Sequence, residues 1–87
     1  MRISYYSLIP SHMMEAMRAY VEKGQPVGDF LRAVISNDLT EAVCRADDTN
    51  IWIIPIYVNW FYNECPGGIW GNDQAYDDWI KLNQKEK

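Results

Sequence analysis

The twelve residues from Ile51 to Tyr62 are apolar except for Pro55 and Asn59. No other stretch restricts the fold so strongly. Such a segment has to be covered, and it is too short to cross a bilayer, which takes about 20 residues. Ile51-Trp52-Ile53-Ile54 and Ile56-Tyr57-Val58 carry the β-branched and aromatic residues of a strand. A central strand disfavours Pro55, which lacks the N–H a ladder needs. A helix accepts proline in its first turn. Tyr57, Trp60 and Phe61 also fall at helical spacing. The balance favours a helix restarted at Pro55 and placed at the centre of the fold, and a strand at 51–58 is the alternative.

The flanking sequence punctuates helices. Ser11 follows Pro10 as a candidate N-cap, and Met13, Met17, Tyr20 and Val21 recur on one face. Arg18 and Glu22 stand at i, i+4 on the other side. Gly24 suits a left-handed C-cap, and Pro26 and Gly28 mark a tight connection. A second helix is expected over Asp29–Ser36, with Phe30, Leu31, Val34 and Ile35 inward and Asn37 as its stop. Asp38 and Glu41 give the D-x-x-E capping pattern of a third helix. Its inner face is read as Leu39, Ala42, Val43 and Ala46. Cys65-Pro66-Gly67-Gly68 reads as a loop. Asn72 then caps a last helix with Tyr76, Trp79, Ile80 and Asn83 on one face. Residues 1–9 read as an extended arm and residues 84–87 as a frayed tail. The expectation is one all-α domain over residues 1–87, with four or five short helices packed around Trp52 and Trp60. An α+β fold is the alternative. At 48% apolar and 14% aromatic, the chain can fill such a core.

Charge is unevenly spread. The net value is −4, yet residues 38–78 hold eight acids against Arg45 alone, net −7. A nucleic-acid binder needs a basic stripe. A helix–turn–helix over Gly28–Ala46 would carry Asp38, Glu41, Asp47 and Asp48 on or beside its reading helix, so nucleic acid is disfavoured and a DNA-binding regulator is the runner-up reading. Two explanations remain for the acids. They cap helices and keep an apolar protein soluble, or they form a negative face that docks on a basic partner with Tyr and Trp as anchors. The second gives Asp38, Glu41, Asp47, Asp48, Trp70, Asp73, Asp77 and Asp78 as partner-binding residues.

No catalytic, metal or cofactor set is expected. His12 is the single histidine and has no partner at a motif spacing. Cys44 has acidic neighbours that oppose a thiolate, and Cys44 and Cys65 are read as free thiols of a reducing compartment rather than a bridge. Asp47-Asp48-Thr49-Asn50 lacks the order of a calcium loop and reads as a cap. Pro66-Gly67-Gly68 and Gly71 lack the Lys-Ser/Thr that follows in phosphate loops. Met1 to Tyr6 lacks the apolar core of a signal peptide, so a cytoplasmic protein without membrane contact is expected. The third class, a minor enzyme or ligand-binding domain, predicts a deep pocket with convergent polar groups. An aromatic surface is also compatible with a twofold homodimer.

One set of residues resembles a family of short proteins of tailed bacteriophages and prophages. It runs Ile9-Pro10-Ser11-His12-Met13, Tyr20, Gly24-Gln25-Pro26-Val27-Gly28-Asp29-Phe30-Leu31, Ala33-Val34 and Asn37-Asp38-Leu39. It continues through Ala42, Ala46-Asp47-Asp48, Asn50, Tyr62-Asn63, Pro66, Trp70-Gly71 and Trp79. The resemblance spans residues 9–80. It implies a phage genome context and a helical fold, and carries over no chemistry. The function expected is that of a phage or prophage accessory protein that binds a host or phage macromolecule, such as a nucleic-acid-binding complex. An inhibitor of a host defence system, of the anti-CRISPR kind, is the sharper form.

Overall fold

The computed structural model describes residues 6–85. Among them are five α-helices and no strand: α1 Ser11–Lys23, α2 Asp29–Ile35, α3 Leu39–Arg45, α4 Ile54–Glu64 and α5 Asp73–Lys85. Three 3₁₀ turns join them, at Tyr6–Leu8, Asn50–Ile53 and Gly67–Ile69. The strand alternative at 51–58 is thereby excluded. The proposed arm is not extended where it is described: Tyr6–Leu8 is a 3₁₀ turn and Ile9 is buried. Residues 1–5 of that arm, and Glu86 and Lys87 of the expected frayed tail, lie outside the described residues.

α2 shares the centre with α4, whose Ile54, Ile56, Tyr57, Trp60 and Phe61 are buried. Phe30, Leu31, Ala33, Val34 and Ile35 are all buried, and α2 packs against α3, α4 and α5. A helix of seven residues would not persist alone, since isolated helices under about 12 residues are marginal. Packing on nearly every side holds it. Asn37 ends α2 with φ 60, taking the left-handed position usually given to glycine. The chain reverses there, with Asp38 N–H donating to the Ala33 carbonyl.

Two aromatic centres tie α1, α4 and α5 to that hub. Tyr20 of α1 is fully buried, stacks on Tyr76 of α5 with centroids 5.4 Å apart, and donates its hydroxyl to the Ile69 carbonyl at 2.6 Å. Trp79 Nε1 donates to the Tyr20 carbonyl at 2.6 Å. On the other side, Tyr57 meets Phe30 edge-on and Phe61 packs against both Trp60 and Trp70. Among the described residues, Asn50 is the buried polar side chain. Its Oδ1 accepts the Tyr57 hydroxyl at 2.6 Å.

Cap chemistry follows the sequence at three ends and departs from it at one. Gly24 adopts φ 64 and its N–H donates to the Tyr20 carbonyl. Asp38 accepts from Glu41 N–H, and Asn72 Oδ1 accepts from Ala75 N–H. Ser11 makes no cap bond. Pro10 is the N-cap, and its carbonyl receives Met13 and Met14 N–H. Proline's fixed φ, here −54, already sets the helix entrance without a side-chain acceptor. Arg18 and Glu22, both exposed, form no ion pair.

Three expected core residues are outside. Trp52 lies in the 3₁₀ turn before α4 and is 83% exposed. Leu39 and Val43 of α3 are also exposed, leaving Ala42 as that helix's buried residue. The cause is geometric: α3 packs chiefly on α2, with Ala42 buried, and the adjoining Leu39–Val43 line stays exposed.

Candidate functional site

Two surface features border α3, one charged and one apolar. The charged feature is a cleft of about 200 Å³ between α2, α3 and the start of α5. Asp29, Asp38, Glu41 and Asp73 line it, with Arg32, Arg45 and Ser36 among them. Arg32 stands 3.5 Å from Asp77 and 3.9 Å from Asp73, and its guanidinium lies 5.0 Å from the centre of the Tyr76 ring. Arg45 stands 3.1 Å from Glu41 and 3.6 Å from Asp29. Ser36 donates to Asp73 at 3.0 Å. The hydrogen bond to Glu41, then the charges of Glu41 and Asp29, raise the Arg45 pKa. Solvent screens partners this exposed, so the pairs add little stability. The cleft is therefore a mixed-charge surface with a residual negative sign.

The carboxylates expected to form one face separate into groups. Asp38, Glu41 and Asp73 meet in the cleft, and Asp77 joins them through Arg32. Asp47 is a local cap: its Oδ1 accepts from Thr49 and Asn50 N–H at 3.0 and 2.7 Å. Asp48 is exposed in the turn that follows α3. Asp78 accepts from Gln74 one turn earlier in α5. Trp70 is half-buried and stacked on Phe61, so packing already occupies one of its faces. Asp29 belongs to the cleft and escaped sequence reasoning, because it lies before the acidic block and reads there as a first-turn helix acid.

The apolar feature is a shallow groove between α3 and α4. Leu39, Ala42, Ile54 and Val58 line it over a floor of Ala33 and Val34, and Asp38 stands at its edge. Val43 lies one turn beyond Leu39, and Tyr62 one turn beyond Val58. Leu39 is 69% exposed and Tyr62 72%. Sequence reasoning missed this strip because Leu39 and Val43 have the i, i+4 spacing that also marks a core face.

Burial pushes the Cys65 thiol up to about 11, away from a thiolate at neutral pH. Cys44 is exposed and unpaired with Cys65. Among the described residues, no group of His, Cys, Asp and Glu side chains could hold a metal ion. The charged cleft is below the roughly 300–1,000 Å³ of ligand pockets. Arg45 is the one base on α3, and its pairing with Glu41 and Asp29 leaves that helix without a free phosphate contact. No helix among the described residues is long and apolar enough to cross a membrane. Compared with protein-family models, curated proteins and solved structures, the chain matches none.

Proposed function

We propose that this chain is a binding protein, used by a phage or prophage in the host cytoplasm, that docks on a macromolecular partner through the acidic and aromatic surface of its C-terminal half. One observation carries the reading. Trp52 and Tyr62 are exposed within a stretch that holds acids and a single, already paired, arginine. Large aromatics are the side chains that most often anchor interfaces. A fold with a complete core elsewhere gains nothing from leaving them in water. The partner is a basic surface, such as that of a complex built to hold nucleic acid. An inhibitor of a host defence complex is the sharpest form of the proposal, and the phage resemblance supplies its context.

The test is affinity capture from phage-infected cells at low and high salt, repeated with Asp47, Asp48, Asp77 and Asp78 changed to Asn. The proposal expects a partner that is held at low salt, is released at high salt and is lost with the neutralised variant. Capture of nothing by the folded protein at low salt, or an identical set of proteins with both forms, overturns it.

A further inference from the structure

The last helix is held less firmly than the centre of the fold. Among residues 73–84, Tyr76 alone is buried, with Trp79 and Ile80 half-buried. α2 buries five of its seven residues and α4 five of its eleven. We propose that α5 is a latch: it lifts from α1 and α2 as one unit about Gly71 while α1–α4 stay folded, and so uncovers the Tyr20 ring. The latch is independent of the binding reading above.

The contacts that close α5 converge on two residues. The Tyr76 ring stacks on Tyr20 at 5.4 Å, and Trp79, one turn on, donates its Nε1–H to the Tyr20 carbonyl. Arg32 reaches both Asp73 and Asp77, which also stand one turn apart. Because Tyr20 and Arg32 each serve two turns, losing one contact weakens the next, and the helix leaves as a whole. The other bonds are Ser36 to Asp73, which is exposed, and Val27 N–H to the Tyr76 hydroxyl at 3.3 Å. Solvent screens the Arg32 pairs. A helix of thirteen residues is marginal by itself, so α5 loses its own hydrogen bonds when it lifts. Elements with few buried apolar contacts are those that open without global unfolding.

The pivot is built into the chain. Gly71 N–H donates to the Ile35 carbonyl and pins the connection to the end of α2. Gly71 has φ 105, which favours glycine, and open space where a Cβ would stand. Just before it, Trp70 stacks on Phe61. The chain is thus fixed up to Gly71 and free to turn after it. The Tyr20 hydroxyl is bonded to the Ile69 carbonyl, on the fixed side, so Tyr20 stays in place and presents its ring. α3 also buries a single residue, Ala42, yet both of its flanks are tied. Asp38 N–H donates to the Ala33 carbonyl before it, and the Asp47 cap and the Asn50–Tyr57 bond follow it.

Native-state amide exchange tests the latch, followed by NMR on the whole isotope-labelled protein at increasing, sub-denaturing urea. Amides from Asp77 to Leu82 should share one protection factor within about threefold, at least about tenfold below those of Ala33–Ile35 in α2 and Val58–Phe61 in α4. Their urea dependence should be less than about half as steep, because little surface is uncovered. Val34 lies on the side of α2 that faces α3 and α4. Val34→Ala should lower protection in α2 and α4 at least about tenfold and leave α5 unchanged. If that variant does not fold, the milder Ile54→Val on the same side replaces it, with a loss of at least about threefold in α2 and α4 alone. Equal protection in α5 and α4, or parallel losses in both with either variant, overturns the latch. So does protection that declines steadily from Asp77 to Leu82, which is fraying from one end.

Discussion

Trp52→Ala and Trp60→Ala are the same chemical change eight residues apart, and the structure gives them very different costs. Trp60 is 4% exposed and packs edge-on against Phe61 with centroids 5.1 Å apart. Removing it deletes buried surface and leaves a cavity, a change that costs about 3–5 kcal/mol. Trp52 is 83% exposed, so only about a sixth of its surface is at stake. Scaled from the same figure, its loss costs about 0.5–0.8 kcal/mol. Urea unfolding followed by circular dichroism at 222 nm avoids reliance on tryptophan emission. With a slope of about 1 kcal/mol per M for a domain this small, Trp60→Ala lowers the midpoint by about 3 M or more, and Trp52→Ala by less than about 1 M. Comparable losses in the two variants would refute the reasoning. Trp52 would then be part of the core, and the surface assigned to a partner would be one the fold itself needs.

Three further outcomes follow from the geometry. Tyr57→Phe removes the hydroxyl that satisfies buried Asn50 and should cost about 1–3 kcal/mol in urea unfolding; a double-mutant cycle with Asn50→Ala should show strong coupling, and additivity would contradict it. Gly24→Ala forces a side chain into φ 64 and into Asn83, costing about 2 kcal/mol or more, and an Asn83→Ala background should recover part of that loss. Burial, then the charge of Asp47, raises Tyr57 from 10.0 to about 12, and burial raises Cys65 from 9.0 to about 11. Burial lifts Tyr20 higher still, with the charges of Cys65, Tyr76 and Asp77 adding to it. These folded-state values lie above the unfolded ones, so the stability they contribute is complete below about pH 9 and is lost as pH rises from about 9 through 12. A urea midpoint that stays flat to pH 11.5 would contradict this.

The fold was legible where a residue type has one physical use. Gly24 at a left-handed end, Asp38 and Asn72 as acceptors for first-turn N–H groups, and Pro55 in a helix's first turn are such cases. The surface was harder to read because apolar periodicity says which residues share a line on a helix, not whether a neighbour covers that line. Leu39 and Val43 share a line that α2 leaves open, and Trp52 sits in a turn whose direction is set by the Asp47 cap and the Asn50–Tyr57 bond. The acids posed the same problem. Linear order joined Asp47, Asp48 and Asp78 to Asp38, whereas folding brings Asp38, Glu41 and Asp73 together with Arg45 of the block and with Asp29 and Arg32, which precede it. Pairing across helices is a tertiary fact that no local spacing encodes.

Site-specific photocrosslinking in phage-infected cells tests the central claim most directly. A photoreactive residue at position 52 replaces exposed Trp52, and one at position 15 replaces Glu15, an exposed residue of α1 in the N-terminal half. The account predicts a discrete protein adduct from position 52 and none from position 15. An adduct from position 15 alone, or none from either, would place the working surface elsewhere and contradict it.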